Sequence, residues 1–167
     1  MKKLFFLLLS LLFCSCNRLQ SEATLAPADV AFIRAAAALD PGETIRCFYT
    51  YSHGRGEGCF VTDKRIGSYY VTADAGTGQY VRQSALFASI VKLEVEHESP
   101  LLARPYIGVH EKGNEWGFMV TIAGRHAEAQ GFYDEALRCW RLQRHAPQGT
   151  PPSLSSNADV RAAGTGR

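Results

Sequence analysis

Between Thr44 and Ile122 the chain never sustains a helical period. Short runs of alternating apolar and polar residues are separated instead by turns rich in glycine, aspartate and asparagine. Alternation with a period of two puts every second side chain on one face of a strand, so such a chain must cover one face of several strands. The clearest case is Ile90 to Glu96, where Val91, Leu93 and Val95 alternate with Lys92, Glu94 and Glu96. Thr44 to Tyr51 places Ile45, Cys47, Tyr49 and Tyr51 on one face, and Trp116 to Ile122 does the same with Trp116, Phe118, Val120 and Ile122. Cys59–Thr62, Gly67–Thr72, Gln79–Gln83 and Tyr106–His110 complete a set of about seven strands. Ser52–Gly58, Asp63-Lys64-Arg65, Ala73–Gly78 and an irregular turn over Ser84–Ser89 separate them, and Gly113 and Asn114 suit a hairpin turn. Seven short strands with no long helix among them predict an antiparallel barrel or sandwich.

Two helical patterns flank the strands. Pro27-Ala28-Asp29 opens an alanine-rich segment over Val30–Leu39, with Val30, Ile33 and Ala37 at helical spacing, and Asp40-Pro41-Gly42 ends it. From about Ala127 to Gln143, Phe132, Tyr133, Ala136, Leu137, Cys139 and Trp140 form a broad apolar stripe, while Arg138, Arg141 and Arg144 look outward. Beyond His145 the residues are mostly Pro, Gly, Ser, Thr and Ala without period, the composition of a disordered tail.

The N-terminus reads as an export signal. Met1-Lys2-Lys3 precedes an apolar run from Leu4 to Phe13 broken only by Ser10, followed by Cys14-Ser15-Cys16. A run of about ten residues is half the ~20 needed to span a bilayer. Cysteine at the end of such a signal resembles the lipobox of bacterial lipoproteins, which implies a diacylated Cys16 as the mature N-terminus and palmitate among its chains. Phe13 departs from the usual Leu of that motif, whereas Ser15 fits it. Asn17, in place of the retention residue Asp, implies the periplasmic face of the outer membrane. This reading divides the chain into a signal over 1–15, a lipidated N-terminus and tether over 16–26, a domain over 27–145 and a tail over 146–167.

Charge excludes one class of partner. The chain has 18 Lys and Arg against 16 Asp and Glu, and removing Lys2 and Lys3 with the signal leaves 18 − 2 = 16 of each sign. A neutral mature protein has no electrostatic reason to bind nucleic acid. Cys47, Cys59 and Cys139 remain after the anchor in a compartment where disulfides persist, so a bridge between Cys47 and Cys59 across neighbouring strands is one expectation and buried free thiols the other.

The order of elements resembles the pleckstrin-homology-like domains of bacteria, in which strands are followed by one C-terminal amphipathic helix. The residues that carry the resemblance are G-C-F-V-T-D-K-R-I-G-S-Y-Y over Gly58–Tyr70, the entry L-D-P-G-E-T-I-R-C-F-Y-T-Y over Leu39–Tyr51, and S-A-L-F-A-S-I-V-K-L-E-V over Ser84–Val95. It spans about Pro27 to Gln143 and implies a mainly β (α+β) fold: a seven-stranded bent barrel capped by the C-terminal helix, with a short N-terminal helix.

No catalytic constellation stands out. Asp74-Ala75-Gly76-Thr77-Gly78 echoes a phosphate loop, but the chain is too short for the two domains such loops serve, and His53–Gly58 lacks the Lys-Ser/Thr of a P-loop. Cys59 near His53 is the one thiol–imidazole pair to consider for a hydrolase, and no third orienting group accompanies it. His53, His97, His110, His126 and His145 are scattered without metal-ligand spacing, so neither a metal nor a cofactor is expected. Lys64 and Arg65, with Arg46 and Arg55, are candidate contacts for an anionic lipid, and Tyr69 or Tyr80 for a partner or an added strand. The reading is a non-catalytic binding or scaffolding module, with a protein partner and with the membrane reached through acyl chains on Cys16.

Overall fold

The structure is a computed structural model that describes residues 19–50, 56–72, 79–97 and 104–145, without the side chains of Glu115 and Trp116. The signal, Cys16 and the tail lie outside the described residues. Seven strands stand between two helices: α1 (Pro27–Ala36), β1 (Ile45–Tyr49), β2 (Glu57–Thr62), β3 (Arg65–Val71), β4 (Tyr80–Leu86), β5 (Ile90–Glu96), β6 (Tyr106–Glu111), β7 (Asn114–Thr121) and α2 (His126–His145). The strands form two antiparallel sheets in sequence order, β1-β2-β3-β4 and β5-β6-β7. The number and order of strands match the sequence reading. The expected barrel does not close, because among the described residues no ladder joins the two sheets.

Two cores explain the burial pattern. Between the sheets and beneath α2 lie Tyr49, Val61, Ile66, Phe87, Ile107, Val109, Val120, Ile122 and Phe132, all essentially inaccessible. On the outer face of the first sheet, α1 lays Ile33 and Ala36 over Ile45, Phe48, Phe60 and Tyr69. The first sheet is thus covered on both sides, and both parities of β1 are buried apart from Arg46. Phe132 alone, fully removed from water, contributes about 2–3 kcal/mol.

Each helix has local reasons to form. In α1, Pro27 occupies the first turn and Asp29 faces the positive end of the dipole. Ala38, at φ 51°, turns the chain out of the helix, and Arg82 donates from Nε to the carbonyl of Ala36 at 2.6 Å, satisfying a helix-end acceptor. In α2, Glu128 reaches back to the backbone N–H of Arg125 at 2.6 Å, half of a capping box. Ala129, Phe132, Ala136 and Cys139 form its buried stripe. The helix then ties itself to both sheets: Trp140 Nε1 donates to the carbonyl of Ile90 at 3.2 Å, and Gln143 Nε2 to that of Asp63 at 2.9 Å.

Three local expectations are corrected. The irregular turn expected over Ser84–Ser89 is strand as far as Leu86, because Ala85 pairs with Ile66 and is buried; the turn itself is confined to 87–89. Val91 is exposed rather than inward, because a register shift between Ile90 and Lys92 turns Ile90 into the core and Val91 out of it. The segment expected as an unstructured tether is docked from Leu19 onward. Gln20 exchanges backbone hydrogen bonds with Phe48 at 2.9 and 2.7 Å, and Glu22 N–H donates to the carbonyl of Ile45 at 3.0 Å, so residues 20–22 cover the edge of β1.

Candidate functional site

The turn between β2 and β3 is organised by a buried threonine. Thr62 Oγ1 accepts from the backbone N–H groups of Lys64 (3.0 Å) and Arg65 (2.9 Å) and donates to Glu43 Oε2 at 2.8 Å. Glu43 is itself inaccessible, and Arg65 Nη2 pairs with its other oxygen and with Asp40 Oδ2 at 2.9 Å. A buried carboxylate is tolerable only with such compensation. Arg65 is therefore committed to two carboxylates. Of the four cations proposed to grip an anion, Lys64 and Arg46 are exposed, Arg65 is taken up by carboxylates and Arg55 lies outside the described residues.

The same network reaches the N-terminal segment. Arg34 Nη2 donates to the carbonyl of Glu43 at 2.6 Å and to Glu22 Oε1 at 3.0 Å, while Glu22 Oε2 accepts from the N–H of Ile45 at 2.8 Å. The Ile45 hydrogen bond, then Arg34, hold the Glu22 carboxyl below the usual carboxylate range.

The bridge expected between Cys47 and Cys59 is absent. All three described thiols, Cys47, Cys59 and Cys139, are free and buried. In the ladder Cys47 faces Val61 and Cys59 faces Tyr49, so the two cysteines are diagonal neighbours, ~7–8 Å apart in an ordinary ladder and beyond the usual ~4.4–6.8 Å of a disulfide. Desolvation pushes the Cys47 and Cys59 thiols up to about 12 and that of Cys139 to about 11. The Cys59 thiol donates to the carbonyl of Thr121 at 3.2 Å. Such thiols are protonated at neutral pH, the opposite of an activated nucleophile. His53, Arg55 and Asp74–Gly78 lie outside the described residues, and among the described residues no cluster of three or more metal-ligating side chains occurs. No helix of the described residues is long and apolar enough to cross a membrane.

The place where the sheets fail to close is a groove of about 220 Å³ between β7 and the inner face of β2 and β3. Glu57, Ser68, Tyr70, Gln83, Met119 and Thr121 line it. Its wall is an edge of β7 with which no strand pairs among the described residues. The N–H of Ile122 donates to the carbonyl of Pro105, and Ile107 faces Val120, so antiparallel alternation sends the backbone groups of Val120 to β6 and those of Met119 and Thr121 the other way. Met119 and Tyr70 are about half exposed. Tyr69 and Tyr80, the aromatics singled out from the sequence, are instead packed: Tyr69 is buried, and Phe32 meets both rings edge-on at 6.4 and 6.0 Å. Met119 and Thr121 alternate with the apolar face of Phe118, Val120 and Ile122 and so stand on the other parity of β7, the one sign of the groove that the sequence carries.

No protein-family model matches the chain, and no curated protein matches it. Among solved structures the fold is similar to a DUF1696 family protein with a pleckstrin-homology domain from Shewanella loihica, at 12% identity and a TM-score of 0.52, covering 74% of this chain and 97% of that one. A pleckstrin homology domain from Shewanella amazonensis aligns at 15% identity and a TM-score of 0.49, over 69% of this chain and 97% of its own. The first likeness establishes a pleckstrin-homology-like fold of two antiparallel sheets and a C-terminal helix.

Proposed function

We propose that the protein is an exported, non-catalytic binding module, anchored in the outer membrane through acyl chains on Cys16, which receives an extended segment of a protein partner at the open seam beside β7. The observation that carries the binding part is the outer edge of β7, unpaired by any strand among the described residues, which faces the groove at Met119, while the Thr121 carbonyl beside it accepts from the Cys59 thiol. An added strand gains main-chain hydrogen bonds there, and Tyr70 and Met119 supply apolar contact. The anchored part is supported by the signal pattern ending at Cys16. Burial of all three described thiols, with their raised pKa values, favours a role without thiol chemistry. Commitment of Arg65 to Glu43 and Asp40, which leaves the basic turn with only Lys64 and the neighbouring Arg46 exposed among the described residues, favours a peptide over an anionic headgroup as the ligand.

Metabolic labelling with palmitate tests the anchor: the parent should carry label and a Cys16→Ser form should not. A photo-crosslinking side chain at Met119, in cells, tests the seam. It should give a defined adduct that a crosslinker at the exposed Leu142 of α2 does not. Equal adducts at both positions would remove the seam from consideration.

A further inference from the structure

We propose that the domain does not hang freely from its lipid but is held with one end against the phospholipid surface, the end carrying the start of α2, while the Thr62–Arg65 turn points away. This rests on the acylation of Cys16 proposed above. The chain is fixed as far as Leu19, which packs against the main core and meets Gly131 of α2, and Gln20 is laddered to Phe48. Three Cα steps separate Leu19 from Cys16, at most about 11 Å. A leash so short cannot carry a domain of this size around its own anchor.

Direction follows from the ladder. Residues 20–22 run antiparallel to β1, with Gln20 beside Phe48 and Glu22 beside Ile45, so the chain leaves toward the anchor at the Tyr49 end of β1. At that end a Cβ placed on Gly124 would lie 2.7 Å from the Tyr49 hydroxyl, which brings Arg125 and the first turn of α2 there too. The basic turn is at the other end. Ile45 faces Thr62, and the N–H of Asp63 donates to the carbonyl of Thr44. The length of β1, about 15 Å, separates the two. Lys112 shares the far end, since its N–H donates to the carbonyl of Ser89, just past β4. The phospholipid headgroups therefore meet the start of α2, and Lys64 stands clear of them.

The test uses the full chain, exported and acylated in a bacterial host, in vesicles of phosphatidylethanolamine and phosphatidylglycerol with a nitroxide-headgroup quencher. A fluorophore is placed at Arg125→Cys or Ala127→Cys near the lipid, and at Lys64→Cys or Lys112→Cys far from it; the buried thiols do not compete for the label. The near positions should lose most of their emission and the far positions almost none. An insertion of about 20 Gly and Ser residues between Asn17 and Arg18 should erase the difference. Equal quenching of near and far positions in palmitate-labelled protein overturns the orientation and leaves the anchor standing. A protein that takes no palmitate overturns the anchor, and the orientation with it.

Discussion

Thr62 Oγ1 stands 2.8 Å from Glu43 Oε2, and both side chains are fully withdrawn from solvent. The pair joins the loop before β1 to the turn after β2, and through Arg65 and Arg34 it fastens α1 and the N-terminal segment to the same point. Removing Arg65 strands a buried carboxylate. Arg65→Met should cost about 3–5 kcal/mol in denaturant unfolding, and the double change Arg65→Met with Glu43→Leu clearly less, because no charge is then left unpaired. If the single change is neutral, the pair is not the structural element described.

Glu22 gives the N-terminal dock a pH dependence. Its folded pKa is depressed, first by the Ile45 N–H and then by Arg34, so its stabilisation is present above the unfolded value near ~4.3 and is lost as pH falls through the lower folded value. Amide exchange at Gln20 and Phe48 should accelerate below about pH 4 before the rest of β1 loosens. Glu22→Gln should make that exchange insensitive to acid; an unchanged pH profile would show that other groups hold the segment.

The thiols predict a reactivity. Cys47 and Cys59, pushed up to about 12, should resist iodoacetamide at pH 8 in the folded protein and react at once in denaturant, as should Cys139. Since the folded values are raised above the unfolded ~8.5, the stabilisation they lend is complete below that pH and declines as pH rises through the folded values. Mass spectrometry without reductant should find these three as free thiols; a Cys47–Cys59 linkage in mature protein would contradict the register described.

Proline separates the two edges of β7. Met119 directs its N–H away from β6, so Met119→Pro removes no ladder bond and should cost little, whereas Val120→Pro breaks one and should cost about 3 kcal/mol or more by thermal unfolding. If Met119→Pro folds normally and a photo-crosslinker moved to the groove residue Tyr70 no longer captures the partner that it captures in the parent, the β7 edge is the binding element. Similar destabilisation by both changes would mean that β7 is not oriented as described.

Gly117 marks a backbone requirement in the same strand. It adopts φ +54°, and a Cβ there would strike the carbonyl of Val109. Gly117→Ala should destabilise by about 1–3 kcal/mol, combining left-handed strain with overpacking.

The elements themselves were legible because their periods are local. Alternation located all seven strands, and the stripe through Phe132 and Cys139 located α2, since a side chain's face depends only on its place in the repeat. What went astray depended on partners far away in the chain. Alternation places Val91 on one face with Leu93 and Val95, and a register shift against β6 leaves it exposed while Leu93 is buried. Ser84 to Leu86 looked like a turn until pairing with β3 made it strand. Arg65 stood as a candidate contact for an anionic lipid, and nothing within a few residues of it announces Glu43 and Asp40 as its partners. The groove was missed for the same reason, being the space left between two sheets.

By itself, then, the sequence determined the strand count and the order of elements, both properties of neighbouring residues. Tertiary structure decided that the sheets stay open, that Cys47 and Cys59 sit diagonally, that the chain is docked from Leu19 onward, and which edge of β7 no strand pairs among the described residues. Those follow from register and from packing between segments tens of residues apart, and a one-residue change of register moves every side chain of a strand to the opposite face.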